Sequence, residues 1–321
     1  MFYKPILIVA GEPNSIFLEI FFKSIKQKKF KSPLIIIVSK DLLIHQMRKL
    51  GFKYKINLID KNHINFNELN NKKINIININ FIFKKTFDKI STKSNKYIKE
   101  SFEVALEILK AQQFSKLING PISKKHLLKD NFLGITEYLA NKTNRTGHVA
   151  MLIYNKKLSV SPITTHLPLK DVHKNLSKKK IINQIELIEK FYKKNFKKNP
   201  KIAITGLNPH CESNYVSSEE DKIIKPAIMA LIKKKYKVYG PFAADTIFMK
   251  EQSIKYDVIV GMYHDQVLTP LKSLFGFDAI NITLGLPFTR VSPDHGPNHG
   301  MLGKNLSDPT SLIKALKFLD N

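Results

Sequence analysis

The sequence alternates short apolar, mostly β-branched runs with longer stretches of helical periodicity, and this alternation limits the fold more than any other feature. Buried strands are predicted at residues 5–10, 33–38, 150–154, 201–205, 257–262 and 279–285. Amphipathic helices are predicted over 97–114 and 177–196, and a last helix after Asp308 and Pro309, which suit an N-cap and a first helical position. Near-continuous apolar runs are typical of strands covered on both faces, so the pattern favours an α/β fold with a parallel sheet.

Length and cysteine content restrict the class of protein. A chain of 321 residues is long enough for two domains. Its one cysteine, Cys211, excludes an internal disulfide and is typical of a reducing compartment, so a cytoplasmic location is predicted. No apolar run has the length of a membrane span, and no membrane partner is expected.

The net charge of +27 raises the alternative of a basic nucleic-acid-binding protein. Of the 53 basic residues only Arg48, Arg145 and Arg290 are arginine. Arginine is the residue best suited to bidentate phosphate and guanine contacts, so its scarcity favours solvated lysine surfaces over a nucleic-acid site. A nucleic-acid binder would lose affinity steeply as salt rises.

Three segments each place a histidine after a predicted strand: TTHLPL contains His166, GLNPHCE contains His210 and MYHDQ contains His264. Ligands bind at the carboxyl edge of open α/β sheets. Three imidazoles from three loops there form an open metal site; singly, each histidine has the alternative of a capping or structural residue.

The stretch near the carboxyl end carries Lys272, Asn281 and Arg290. A lysine, an amide and a guanidinium that converge are suited to a phosphate and a carboxylate, with ordinary surface charges as the alternative. Since the chain uses lysine almost everywhere, an arginine at position 290 indicates that its geometry is needed.

Taken together, these segments resemble the 4-hydroxythreonine-4-phosphate dehydrogenases of vitamin B6 synthesis. The resemblance is carried, in chain order, by NGPISKKHL, GITEYLA, TTHLPLKDV, GLNPHCE, GPFAADTIF, MYHDQ, FDAINITLGLPFTRVSPDHG and DPTSLIKAL. It covers nearly the whole chain and is clearest from Asn119 onward.

The resemblance implies an isocitrate-dehydrogenase-like fold of two α/β/α domains with a cleft between them, in a homodimer whose active site is shared at the interface. We expect the first domain at 1–130 plus 270–321 and the second, with the metal histidines, at 131–269. The family oxidises 4-phosphooxy-L-threonine with NAD and releases carbon dioxide, giving 3-amino-2-oxopropyl phosphate.

The resemblance also implies roles for particular residues. The metal histidines of the family fall on His166, His210 and His264, and hold one divalent ion (Zn, Mg, Co, Mn or Ni). The substrate-contacting residues fall on Thr136, Lys272, Asn281 and Arg290.

Three further residues are candidates from their position alone. Asp245 is a candidate catalytic residue that orients a ligand or accepts a proton, with the N-cap of a helix over TIFMK as the alternative. Lys124 and Asp265 are weaker candidates, with turn or capping roles as the alternative. NAD-contacting residues are not identified; the absence of GxGxxG leaves 294–303 as the region to inspect.

The chain departs from the family in loops around this site. Ile135 stands where the family has a substrate-contacting histidine, and the opening GEPNSIFLEI lacks the family's inner glycines. Two hypotheses follow: the activity is unchanged, or the same chemistry acts on a related phosphorylated or carboxylated hydroxy acid. Because glycine allows close approach of backbone to ligand, we expect this first strand-to-helix turn to form the rim of the cleft without binding the NAD pyrophosphate.

Overall fold

The computed structural model describes residues 3–111, 114–127, 132, 134–211, 218–276, 278–293 and 295–320, without the side chains of 124 and 125. The strands are β1 (Ile6–Val9), β2 (Leu34–Val38), β3 (Ile56–Leu58), β4 (Ile74–Asn78), β5 (Lys116–Asn119), β6 (Ala150–Tyr154), β7 (Ser159–Thr164), β8 (Ile202–Thr205), β9 (Val238–Phe242), β10 (Val258–Tyr263), β11 (Ile280–Leu284) and β12 (Thr289–Pro293). The helices are α1 (Phe17–Gln27), α2 (Lys40–Lys49), α3 (Asn95–Lys110), α4 (Lys124–Leu127), α5 (Ile135–Lys142), α6 (Lys178–Phe196), α7 (Lys225–Lys233), α8 (Lys250–Ser253), α9 (His264–Phe275) and α10 (Thr310–Leu319).

The chain divides into two compact units. Unit 1 comprises Met1–Ile135 and Pro287–Asn321, and unit 2 comprises Thr136–Leu286. Among the described residues no helix combines the length and the apolar character needed to cross a bilayer.

Unit 1 contains six parallel strands in the order β3-β4-β2-β1-β5-β12. Every residue of β1 and β2 is buried, as near-continuous apolar runs predict for strands covered on both faces. Strands β3 and β4 lie within 53–94, where the sequence predicted no element. That segment is rich in Lys, Asn and Ile and has few residues that mark the ends of strands or helices.

Unit 2 contains strands in the order β11-β6-β7-β10-β8-β9. Strands β7, β10, β8 and β9 are mutually parallel, but β6 is antiparallel to both β7 and β11. The prediction of a parallel sheet is therefore wrong for β6, which runs opposite to both of its neighbours, β7 and β11. Strand β6 is buried on both faces in this sheet, so its composition carries no signal of direction.

The predicted helical faces are confirmed. In α3, Phe102, Ala105 and Leu109 are buried while Leu106 is half-buried. The apolar face of α6 is buried as predicted, at Ile181, Ile185, Ile188 and Phe191.

The start of α10 lies one residue later than predicted. The helix begins at Thr310, whereas Pro309 was predicted as the first helical residue. The prediction of Asp308 as the N-cap is therefore wrong by one residue, because Pro309 holds that position; Asp308 lies just before it, and its Oδ1 accepts from Thr310 N at 2.8 Å. This bond and one from the Thr310 hydroxyl lower the pKa of Asp308.

Backbone N–H groups of the turn between β1 and α1 donate hydrogen bonds to oxygens of the protein itself. Asn14 N donates to Glu12 Oε1 at 3.2 Å, and Phe17 N to Ser15 Oγ at 3.3 Å. Glu12 N donates to Pro121 O and Ile16 N to Pro297 O. These N–H groups are therefore not available to a phosphate, which supports the prediction that the turn does not bind a pyrophosphate.

Glu12 is the buried carboxylate of this turn, with 2% of its surface exposed. Its Oε2 accepts from Ser94 Oγ at 3.0 Å. Burial raises the pKa of Glu12 above its ordinary 4.5, against the lowering effect of the bonds from Asn14 and Ser94. Because the native carboxyl holds its proton more tightly than the unfolded chain does, the free energy of unfolding falls as pH rises from about 4.5 through the native pKa.

The variant Glu12→Gln is expected to gain stability relative to wild type at mildly alkaline pH and to lose that advantage at mildly acidic pH. The glutamine keeps an oxygen for Asn14 N, and its amide can donate to the Ser94 hydroxyl. Urea unfolding at the two pH values measures the difference. The exposed Glu103→Gln serves as control, and a Glu12→Gln effect that is the same at both pH values would contradict the assignment.

Candidate active site

Three neighbouring parallel strands of unit 2 each lead into a histidine. His166 lies two residues after β7, His210 lies five residues after β8, and His264 directly follows β10. Strand β10 pairs in parallel with β7 on one side and with β8 on the other. The carboxyl ends of these strands therefore lie at one edge of the sheet, where the sequence predicted the histidines.

His166 and His264 are close to each other. Their ring centroids are 5.8 Å apart, with an angle of 38° between the rings. Nδ1 of His264 lies 2.7 Å from Oδ1 of Asp265. A carboxylate can only accept a hydrogen bond, so Nδ1 of His264 carries the proton. The lone pair on Nε2 is then available to a ligand, as in metal-binding histidines paired with a carboxylate. Asp265, predicted as a turn or capping residue or a weak site candidate, is the partner of His264.

His210 lies in an exposed turn with left-handed backbone. His210 and Cys211 both have a φ of 58°, a conformation that costs about 1–2 kcal/mol for a non-glycine residue. Such backbone occurs where surrounding structure fixes it, and functional sites are common examples. Burial raises the pKa of the Cys211 thiol, which therefore stays protonated at neutral pH.

The buried carboxylate of Glu220 fixes the start of this turn. Its Oε1 accepts from Leu207 N at 2.7 Å and from Asn208 N at 2.8 Å, and its Oε2 accepts from Asn208 Nδ2 at 2.8 Å. Although burial raises it, these bonds hold the pKa of Glu220 below its usual value. The sequence did not predict this role, since Glu220 stands among acidic and basic neighbours with no pattern of its own.

Helix α5 carries the predicted substrate residue Thr136, which is 6% exposed, beside Glu137. Thr165, the residue before His166, donates from Oγ1 to Glu137 Oε1 at 3.4 Å. The other oxygen, Glu137 Oε2, is buried and has no hydrogen-bond partner among the described residues. The structure thus connects the helix of Thr136 to the loop of His166 and leaves a carboxylate oxygen that can accept a bond from a ligand.

Asp245 follows β9, the neighbour of β8, by three residues and is exposed. It therefore lies along the same sheet edge as the three histidines. Its alternative as the N-cap of a helix is wrong, because the next helix, α8, begins at Lys250 with Met249 at its N-cap.

The remaining predicted residues are distributed over both units. Lys272 is exposed on α9, eight residues after His264 and hence about 12 Å further along the helix. Asn281, in β11, has a buried Oδ1 without a hydrogen-bond partner among the described residues. Arg290 belongs to unit 1, where it is 2% exposed and donates from Nε to Asn119 Oδ1 at 2.7 Å. Asp294 and the side chain of Lys124 lie outside the described residues.

Within one chain, the described side chains meet only part of what the binding of a divalent metal ion requires. The imidazoles of His166 and His264 lie side by side, and the proton of His264 is held by a carboxylate. However, no three His, Cys, Asp or Glu residues in the described part of one chain are grouped closely enough to hold a metal. A shared site between two copies, as the resemblance implies, is compatible with that arrangement.

Comparison with known proteins identifies the family of this chain. Residues 29–319 match the family model described as pyridoxal phosphate biosynthetic protein PdxA. The chain belongs to this family. It is similar to the 4-hydroxythreonine-4-phosphate dehydrogenase of Sulfurihydrogenibium sp. (strain YO3AOP1), with 36% identity over 314 residues, 97% of this chain and 95% of that protein.

Solved structures agree with this assignment. The crystal structure of 4-hydroxythreonine-4-phosphate dehydrogenase from Klebsiella pneumoniae superposes with a TM-score of 0.84 at 28% identity, covering 98% of each chain. Isocitrate dehydrogenase from Methylococcus capsulatus matches with a TM-score of 0.51 at 9% identity, over 97% of this chain and 83% of that one, a likeness of fold alone. The predicted isocitrate-dehydrogenase-like α/β fold is confirmed. As a member of the PdxA family, the chain is an oxidoreductase of pyridoxal phosphate synthesis that uses a nicotinamide cofactor.

Proposed function

We propose that the chain oxidises 4-hydroxythreonine 4-phosphate with NAD and that the product then loses its carboxylate as carbon dioxide, giving 3-amino-2-oxopropyl phosphate. The observation that carries this proposal is the row of three histidines at the carboxyl ends of three adjacent parallel strands, in a chain of the PdxA family. Carbon dioxide is lost readily because the carbonyl formed by oxidation is β to the carboxylate.

His166, His210 and His264 would hold one divalent ion, Zn, Mg, Co, Mn or Ni, with a second copy of the chain completing the site in a homodimer. Such an ion supplies Lewis-acid chemistry that lowers the pKa of the substrate hydroxyl. Asp265 keeps the proton of His264 on Nδ1, so that Nε2 is the atom available as a ligand. Glu220 holds the turn that leads to His210.

Substrate binding is assigned to Thr136, Lys272, Asn281 and Arg290. The ammonium and guanidinium would bind the phosphate and carboxylate, and the buried Oδ1 of Asn281, which has no hydrogen-bond partner within the described residues, would accept a hydrogen bond from the substrate. Asp245, at the same edge as the histidines, would orient the ligand or accept a proton.

The proposal is tested by incubating the purified chain with NAD, a divalent metal and 4-hydroxythreonine 4-phosphate while following NADH by absorbance and carbon dioxide by trapping. Both are expected in equal amounts. NADH without carbon dioxide would contradict the decarboxylation, and absence of turnover with every metal tried would contradict the proposed substrate. The alternative, a related phosphorylated or carboxylated hydroxy acid, is tested in the same assay with such acids in place of the first substrate.

Ile135 provides a prediction that distinguishes these substrates. Isoleucine neither donates nor accepts a hydrogen bond, whereas histidine at the first residue of α5 would donate to an anionic group. If the substrate is unchanged, the variant Ile135→His is expected to lower KM by about 10-fold, the worth of one hydrogen bond to a charged group. Steady-state kinetics measure the effect, with Ile135→Leu as control. An unchanged KM for this substrate, with turnover of a different acid by wild type, would favour the alternative.

A further inference from the structure

Gln266 lies on the first turn of α9, between the histidine-bearing ends of β8 and β10. Its Oε1 accepts two hydrogen bonds, from Met262 N at 2.7 Å and from Thr205 Oγ1 at 2.9 Å. Its Nε2 donates to Gly206 O at 2.8 Å. One side chain therefore contacts β10 just before His264 and β8 where the His210 turn begins.

The amide has one possible orientation. Met262 N can only donate and Gly206 O can only accept, so the oxygen and nitrogen of Gln266 cannot be exchanged. Gly261 leaves room for this contact, because a Cβ at that position would lie 2.4 Å from Val267 Cγ1 and 2.9 Å from Gln266 Oε1. The two strands, already paired through their backbones, are thus also joined beyond that pairing by the side chain of Gln266.

The neighbouring turn is fixed in a similar way from its other side. Glu220 binds Leu207 N and Asn208 N, the two amides that directly follow the carbonyl bound by Gln266. The backbone is therefore bound at three consecutive residues, Gly206 to Asn208, by two side chains, and the Thr205 side chain adds a bond to Gln266. In the described part of this turn, Pro209, His210 and Cys211 lie beyond these contacts.

We propose that Gln266 is a positioning residue that sets the spacing between the loops of His210 and His264. This inference rests on the proposed function, because it assumes that these histidines bind a metal. Gln266 contacts no reacting group; it acts through the backbone that carries the two imidazoles. Its removal leaves all three histidines present but lets their loops move relative to each other, and the loss of such supporting contacts typically weakens metal binding by about 10- to 100-fold.

The test is a titration of the full-length chain with Co²⁺ alone, followed by the visible absorption of the bound ion and by calorimetry. We expect Gln266→Met to bind Co²⁺ about 10- to 100-fold more weakly than wild type and to show an altered spectrum. The matched control is Gln184→Met. Gln184 is a buried glutamine of the same unit whose Nε2 donates to Ser161 Oγ and Pro162 O within the body of β7. This control is expected to lower the thermal midpoint without changing the Co²⁺ spectrum.

Thr205→Val keeps the test informative if Gln266→Met fails to fold, since it removes a single bond to Oε1 and suits a strand. We expect it to weaken Co²⁺ binding by about 2- to 10-fold. Wild type that binds Co²⁺ together with variants that bind it equally well would overturn the role of Gln266 alone. Wild type that binds no Co²⁺ would overturn the proposed metal site, and this inference with it.

Discussion

Replacement of His264 by glutamine is expected to lower kcat/KM by about a thousandfold or more while the chain stays folded. Lewis-acid stabilisation is worth several kcal/mol, and about 4 kcal/mol corresponds to this factor. His264 is half-buried at the start of α9, and its ring contacts are with His166 and Asp265. The change therefore removes an imidazole from the sheet edge without opening a cavity in the core.

The matched control is His173→Gln, an exposed histidine in a short turn seven residues after His166. NADH formation, bound metal and thermal midpoint are measured for both variants. We expect loss of activity and of metal only in His264→Gln, with similar midpoints. Metal binding at wild-type affinity in His264→Gln would remove this residue from the ligand set, whatever the activity.

The variant Gly11→Ala is expected to lower the free energy of unfolding by about 2–5 kcal/mol. Gly11 lies two residues after β1 with a φ of +77°, and a Cβ there would lie 2.5 Å from Pro121 O. The left-handed backbone costs an alanine about 1–2 kcal/mol, and displacing the carbonyl of Pro121 adds about 1–3 kcal/mol. The glycine is thus needed to pack the first turn against the chain that follows β5.

Gly51→Ala separates these two contributions. Gly51 has nearly the same φ, +75°, but nothing lies within 4 Å of a Cβ at that position. Urea denaturation of both variants is expected to show about 1–2 kcal/mol for Gly51→Ala and a clearly larger loss for Gly11→Ala. Equal losses of unfolding free energy would show that glycine is needed at position 11 for its backbone conformation and not because of the contact with Pro121.

Much of the candidate site follows from local patterns in the sequence. Each histidine comes after a run that reads as a strand, and the strands β7, β10 and β8 do place His166, His264 and His210 at one edge. Arginine is rare in this chain, and Arg290 is 2% exposed and bonded to Asn119, whereas its role in binding substrate stays a prediction.

Other features depend on contacts between distant segments and leave no local signal. The antiparallel direction of β6 is one example, since a strand buried on both faces has the same composition in parallel and antiparallel pairing. Gln266 is another: it is part of the conspicuous segment MYHDQ, but two of its three partners, Thr205 and Gly206, come close only when β8 lies beside β10. Glu220 likewise binds backbone amides more than ten residues earlier in the chain.

Metal readdition is the decisive experiment for the proposal that this PdxA-family chain is a metal-dependent dehydrogenase of 4-hydroxythreonine 4-phosphate. The full-length protein is stripped of metal with a chelator, dialysed, and mixed with NAD and substrate while NADH absorbance is recorded. We predict no NADH before addition of a divalent ion and turnover that rises with the ion until the sites are filled. Equal turnover before and after addition, in protein verified to be free of metal, would contradict the account.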